Sequence, residues 1–214
     1  ASVLGRCPSL SELDFSFGPG ATTATKKPEA CPTMKMAAGP QCSSDLVASG
    51  LLPGLLRELP HLLEEWRVQD SVEICEEDGE LVFYSSSTIN VEVHDARLEF
   101  VPKTALTFRT ITVEPMLNTL LQAGLRKWMK RRLSRAGIDL SDQSKNQRLA
   151  REGSITGELA TLDLASASDT ISTSLVKLLL PADWYAMLSA ARSSTVNYRG
   201  KSFMLEKFSA MGNA

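Results

Sequence analysis

The spacing of apolar residues changes several times along the chain, and each spacing predicts an element. Leu46, Leu51, Leu52, Leu55, Leu56, Leu59, Leu62 and Leu63 recur mostly at helical steps. They predict helix over 45–66, interrupted at Pro53 and Pro60. Between 72 and 101 the pattern changes to strands: Val72-Glu73-Ile74, Leu81-Val82-Phe83-Tyr84, and the alternating Ile89-Asn90-Val91-Glu92-Val93. The clearest helix follows Glu114. Pro115 suits its first turn, and Leu117, Leu121, Leu125, Trp128 and Arg132 or Leu133 continue at three- and four-residue steps. Gly137 is a natural stop.

Beyond it, Leu159 to Leu164 reads as a short strand. Ala160, Leu162 and Leu164 face one way, and Thr161 and Asp163 the other. A turn through Ala165-Ser166-Ala167-Ser168 precedes a helix that begins near Asp169, carries Leu175, Leu178 and Leu179, and ends before Pro181. Residues 182–191 predict another short helix. Val196 to Phe208 predicts a hairpin turning at Arg199-Gly200-Lys201. Residues 1 to about 45 are rich in Gly, Pro, Ser, Thr and Ala, with a turn signal at Phe17-Gly18-Pro19-Gly20. Little regular structure is expected there. Helices and hairpins without regular βαβ alternation argue for the α+β class. No internal repeat is visible.

The 214 residues suffice for one large domain or two small ones. No run of 18 apolar residues implies a membrane span, and the opening ASVLGRCPSL lacks the apolar core of a secretion signal. The chain starts at Ala1 and stops in a small-residue loop, so both ends are expected to be cuts. Cys7, Cys31, Cys42 and Cys75 form no Cys-x-x-Cys pair, and His61 and His94 lie far from them in sequence. Reduced thiols are therefore favoured over a zinc site. The net charge of −2 hides an asymmetry. Twelve acids and two bases fall between Glu58 and Glu99, whereas nine bases and two acids fall between Gly124 and Arg151. The basic stretch suits either a polyanion contact or a solvated helix face whose cations favour the helix C-terminus.

Several residues carry candidate chemistry. Asp163, at the end of an apolar strand, would be costly to bury without a partner; a bound cation is one such partner, a turn or helix cap the plainer alternative. Asp169 either caps the following helix or accepts from a substrate hydroxyl such as a ribose 2′-OH. Ser209-Ala210-Met211-Gly212-Asn213 is a compact loop in which Gly212 permits unusual backbone shapes and Asn213 offers donor and acceptor. Lys103 and Arg109 flank an extended ribbon. They could grip a triphosphate, Lys as a point charge and Arg as a fork, or simply be exposed strand charges.

Taken together, four segments resemble the replicases of positive-strand RNA bacteriophages, the levivirus group, in order and spacing. They are Val101-Pro102-Lys103 through Arg109 to Glu114-Pro115; Gly137 to Gln143 with Asn146-Gln147-Arg148; Leu159 to Asp169; and Ser209 to Asn213. Phe17-Gly18-Pro19-Gly20 is similar to the family's N-terminal part. The resemblance implies a right-hand polymerase: an N-terminal and fingers region over 1–100, fingers with the nucleotide and RNA path over 101–158, and a partial palm over 159–214. It implies that Asp163, with the backbone carbonyl of Leu164, binds catalytic Mg²⁺ (two ions in the complete enzyme, or Mn²⁺ in their place). It also implies that Asp169 reads the ribose, that Ser209, Gly212 and Asn213 join it, and that Lys103 and Arg109 meet the triphosphate. RNA template and product, nucleoside triphosphates, host translation elongation factors and a ribosomal protein are the implied partners, in the cytoplasm of a bacterial host. The acidic 58–99 region is either a surface for such host proteins or a solvated face. Two departures stand out, Leu106 where relatives usually carry Lys and Phe108 where they carry Asp; Ala214 also occupies a position often Gly. The family's Tyr-Gly-Asp-Asp hairpin and thumb would lie beyond Ala214, so the chain alone is expected to be inactive.

Overall fold

Prolines and small residues keep the first forty positions from building long elements. The computed structural model describes residues 3–77, 80–162 and 166–211, with side chains at 69–85 and 87 excluded. It shows two 3-10 turns here, Leu10–Glu12 and Lys27–Glu29, and one short helix, α1 (Pro32–Ala37). The segment is nevertheless anchored. Leu13 and Ala30 are buried, the Thr22 and Thr25 hydroxyls bond at 2.9 Å, and Lys35 donates to the Gly18 carbonyl at 2.6 Å.

The strand β1 (Gln41–Cys42) leads into three short helices over the leucine-rich stretch: α2 (Ser44–Ala48), α3 (Leu52–Arg57) and α4 (Pro60–Trp66). The Ser43 hydroxyl caps α2 by accepting from the Leu46 N–H. Pro53 and Pro60 stand in the first turns of α3 and α4, where a missing N–H costs no helical bond. The prolines therefore start helices as well as ending them. The long strands β2 (Arg67–Glu77) and β3 (Glu80–Ile89) pair antiparallel. The alternating stretch 89–93 does not form one strand: β3 ends at Ile89, and β4 (Glu92–Val93) pairs in parallel with β1.

The strands β5 (Ala96–Pro102) and β6 (Phe108–Val113) form an antiparallel hairpin. The helix α5 (Met116–Arg135) runs as its leucine spacing predicts, with Pro115 at its N-cap and Gly137, at φ 81°, just beyond its end. The helix α6 (Ser144–Thr156) has few apolar residues, so the apolar pattern does not mark it. The Asp142 carboxylate accepts from the Ser144 N–H at 2.8 Å, and Gly157 closes the helix in the left-handed region.

Two expectations fail in the next stretch. Leu159–Leu162, the described part of the expected strand, forms no strand and is exposed. An isolated strand leaves its backbone groups unpaired, and no described strand lies beside this one. Nor does a helix start at Asp169. That residue lies in a 3-10 turn, Ala167–Thr170, and α7 (Thr173–Leu179) begins later, where the Ser172 hydroxyl accepts from the Leu175 N–H. The helix α8 (Ala182–Ala191) matches its expected range. The strands β7 (Thr195–Tyr198) and β8 (Lys201–Met204) form the expected hairpin, with Arg199 and Gly200 both at positive φ as a type I′ turn requires. The larger sheet has the order β6-β5-β7-β8, in which β5 and β7 are parallel and the other neighbours antiparallel. The α+β class is thus observed.

The core gathers on α5. Its Met116, Leu117, Leu120, Leu121 and Leu125 pack with Leu46, Leu55, Trp66, Trp184 and Met187. Glu114, just before α5, and Asn118 and Gln122 within it recur every four residues and are all buried. The Asn118 amide donates to the Ser43 hydroxyl at 2.8 Å and to the Ala191 carbonyl at 3.3 Å, while its oxygen accepts from the Ser43 N–H at 2.9 Å. Gln122 donates to the same Ala191 carbonyl at 2.9 Å. Truncation of Asn118 would strand polar groups away from water. Asn118→Ala is expected to lower stability by about 2 kcal/mol in urea titrations.

Of the described thiols, Cys42 is buried, Cys7 half-buried and Cys31 exposed. Burial pushes Cys42 up to about 11, and burial together with Asp183 does the same to Cys7. Both thiols therefore stay protonated at neutral pH. In a Cys75→Ser background, native labelling with a maleimide at pH 7.5 is expected to modify Cys31 rapidly and the other two only on unfolding.

Candidate functional site

The end of α8 determines where the later segments go. Beyond Ala191, the Glu114 carboxylate accepts from the Ser193 N–H at 3.2 Å and from its hydroxyl at 2.5 Å. Asp45 accepts from the Ser194 N–H and hydroxyl at 2.7 and 2.8 Å. Asp95 accepts from the Thr195 and Ser202 hydroxyls at 2.5 and 3.0 Å. Three carboxylates thus grip the three consecutive residues Ser193 to Thr195, the last of them the start of β7, and Ser202 of β8.

Arg192 lies within this grip. Its Nη1 donates to the carbonyls of Lys207 and Phe208 at 3.1 and 3.0 Å, and its guanidinium lies 5.1 Å over the Phe208 ring. Burial lowers its pKa, while Asp45, Glu114 and Tyr185 oppose that shift. A guanidinium remains charged under all ordinary conditions, so it acts as a permanent clamp.

The clamped segment also meets the turn that carries Asp169. Thr173 N–H donates to the Glu206 carbonyl at 2.8 Å, Phe208 N–H donates to the Ile171 carbonyl at 2.7 Å, and Ser172 and Lys207 form an antiparallel bridge. Across this seam Lys207 Nζ bonds the Asp169 carboxylate at 2.6 Å. The structure therefore brings Asp169 and the Ser209 loop together, although 40 positions separate them in sequence. At the far side of the loop, Thr112 N–H in β6 donates to the Met211 carbonyl at 2.9 Å.

That bond links the loop to the hairpin carrying the two cations. Val101 pairs with Arg109 and Pro102 with Phe108, and the Lys103 N–H continues the ladder to the Thr107 carbonyl at 2.9 Å. Strand alternation then puts Lys103 and Arg109 on one face of the hairpin, and both residues are exposed. The turn is held by a Thr104–Thr107 hydroxyl bond at 2.6 Å. Arg109 stands three residues along β6 from Thr112, or about 10 Å. Leu106 and Phe108 are exposed at the tip.

Asp163, Leu164, Gly212 and Asn213 lie outside the described residues. Leu162, the last described residue before Asp163, is 91 % exposed. Among the described residues no group of three His, Cys, Asp or Glu side chains gathers to hold a metal.

The basic stretch divides by role. Lys127 pairs with Asp14 at 3.0 Å, Arg131 lies 5.9 Å from the Trp128 ring, and Arg132 donates to the Leu4 carbonyl. By contrast, Lys145, Arg148 and Arg151 on α6 are exposed. Ser209 is half-buried and, with Leu125, Met129, Leu133, Arg192 and Phe208, lines a cleft of about 340 Å³. Sequence reasoning missed Arg192, Lys207 and Glu114. A lone cation or acid carries no spacing signal, and their partners become neighbours only on folding.

A carboxylate, a hydroxyl-bearing loop and a cationic hairpin, linked by backbone bonds, form an arrangement suited to a phosphorylated sugar. The chain belongs to the RNA replicase beta-chain family, whose model matches residues 8–214. It is 47% identical over 114 residues to the RNA-directed RNA polymerase subunit beta of Enterobacteria phage SP, covering 53% of this chain and 20% of that protein. It is 48% identical over 113 residues to the RNA-directed RNA polymerase beta chain of Escherichia phage MS2, covering 53% of this chain and 21% of the relative. The corresponding figures for the Escherichia virus Qbeta subunit are 46% over 114 residues, 53% and 19%. The chain thus matches about a fifth of the length of these curated relatives.

Two outcomes follow from this geometry. Arg192→Met should leave two carbonyls without their charged donor and destabilise the chain by about 2 kcal/mol in urea titrations. Gly153 in α6 faces the Leu159 backbone so closely that an added Cβ would lie 2.6 Å from its carbonyl oxygen. Gly153→Ala is therefore expected to displace 158–162 and speed protease cleavage there, against its usual helix-favouring effect.

Proposed function

We propose that this chain forms the nucleotide-facing part of an RNA-directed RNA polymerase that copies phage RNA from nucleoside triphosphates. The observation that carries the reading is the seam joining the Asp169 turn to the 206–208 segment, because it sets a candidate sugar-reading carboxylate beside the Ser209 loop. Membership of the replicase family and the named activity of the relatives support it. In this reading the chain belongs to a right-hand polymerase, with an N-terminal and fingers region over 1–100, fingers over 101–158 and a partial palm over 159–214.

Lys103 and Arg109 would meet the triphosphate, and Asp169 with Ser209, Gly212 and Asn213 would meet the sugar. The exposed bases of α6 suit an RNA backbone. Asp163 and the Leu164 carbonyl offer hard oxygen donors of the kind Mg²⁺ takes, yet they fall short of its octahedral set and need further carboxylates. When bound there, two Mg²⁺ ions would stabilise the attacking and leaving oxygens as the RNA 3′-OH displaces pyrophosphate. Host elongation factors and a ribosomal protein, in the bacterial cytoplasm, belong to the same reading. No helix among the described residues is long and apolar enough to cross a membrane.

Primer extension tests the proposal. The 214-residue chain alone is expected to make no templated product, whereas the full-length polymerase carrying this sequence extends a primer. In the full-length protein Asp163→Asn is expected to abolish extension while leaving RNA binding within about two-fold, since the change spares the cationic contacts. Retained turnover would remove Asp163 from its role. A second reading, an RNA-binding module without catalysis, is favoured by the exposed Lys145, Arg148 and Arg151 alone. Salt-dependent RNA binding by a full-length protein that extends no primer would support it.

A further inference from the structure

The ion pair between Lys207 and Asp169 is not explained by the folding of either segment. The seam between them is already closed by backbone bonds at Thr173–Glu206 and Phe208–Ile171. Arg192 holds the Lys207 carbonyl from the other side at 3.1 Å. The pair itself is partly open to solvent, with side-chain exposure of 20 % for Lys207 and 43 % for Asp169, so it adds little to stability. What it does fix is a direction. A lysine whose backbone is held on both sides delivers its ammonium to Oδ1 of Asp169 at 2.6 Å. The second oxygen, Oδ2, accepts no hydrogen bond from the described residues.

We infer that Lys207 is a positioning residue: its ammonium holds one oxygen of Asp169 so that the other is aimed at the 2′-hydroxyl of the incoming nucleotide's sugar. The inference rests on the sugar-reading role proposed for Asp169. A carboxylate can accept at both oxygens. Occupying one with a charge-assisted bond restricts the rotamers of the side chain and leaves the other free to accept. A site built to bond a hydroxyl also rejects the analogue lacking it, because the acceptor is then left unpaired. Loss of Lys207 should therefore weaken the preference for ribose over deoxyribose without unfolding the protein.

The test compares wild-type, Lys207→Met and Lys207→Arg versions of the full-length polymerase carrying this sequence. The measured quantity is the ratio of kcat/KM for ATP to that for 2′-dATP on a primed RNA template, together with the melting temperature. Lys207→Met is expected to lower the ratio roughly ten-fold, chiefly through a higher KM for ATP, with an unchanged melting temperature. Lys207→Arg, which keeps the charge, is expected to recover most of the ratio. Wild-type enzyme that extends primers, beside a Lys207→Met variant with an unchanged ratio, overturns the inference alone. Equal losses for both sugars with a lowered melting temperature also overturn it, since that marks a purely structural contact. A wild-type protein that extends nothing overturns the polymerase reading, and the inference with it.

Discussion

The buried polar row on α5 is the constraint from which the rest of the structure follows. Asn118 and Gln122 lie on one stripe of α5 beside the stripe that forms the apolar core, and Glu114 stands just before the helix begins. A buried carboxylate is costly unless its oxygens are bonded. Glu114 meets that requirement with the Ser193 N–H and hydroxyl, beside the N-terminus of α5, where the helix dipole favours negative charge. Asn118 and Gln122 meet theirs at Ser43 and Ala191. These bonds leave the chain after α8 one direction in which to run.

The geometry of the candidate site follows from that direction. Ser193 held at Glu114 puts Arg192 beneath the carbonyls of Lys207 and Phe208. That in turn seats 206–208 against Ile171 and Thr173, and the Asp169 turn comes with it. The β5–β6 hairpin joins through Thr112 and Met211. No residue in this sequence of contacts is itself a candidate for substrate binding until Asp169 and Ser209 are reached. The groups that position the site outnumber those that would touch a nucleotide.

The fold was legible where local chemistry acts alone. The leucine steps of α5, the breaks at Pro53 and Pro60, the bounds of α8 and the Arg199-Gly200 turn all depend on neighbours within a few residues. Legibility failed where the decision is made elsewhere. The alternation at 89–93 reads as one strand, yet β1 takes Glu92–Val93 as a parallel partner. The apolar alternation at 159–162 reads as a buried strand, yet no described strand pairs with it. Asp169 reads as either a cap or a hydroxyl acceptor; Ser172 is the residue that caps α7, and the Asp169 carboxylate turns to Lys207.

By itself, the sequence determined the class, the elements with strong local periodicity, and the four ordered segments that mark the family. It did so because helical spacing, turn residues and motif order are properties of short stretches of chain. Tertiary structure alone decided which charges meet. Whether Lys127 pairs with Asp14 or stays free, and whether Asp169 caps a helix or faces a lysine 38 residues away, depends on packing that brings distant residues within about 3 Å. Ionic and hydrogen-bonded contacts act over such short distances that sequence separation carries no information about them, and only the folded chain assigns the partners.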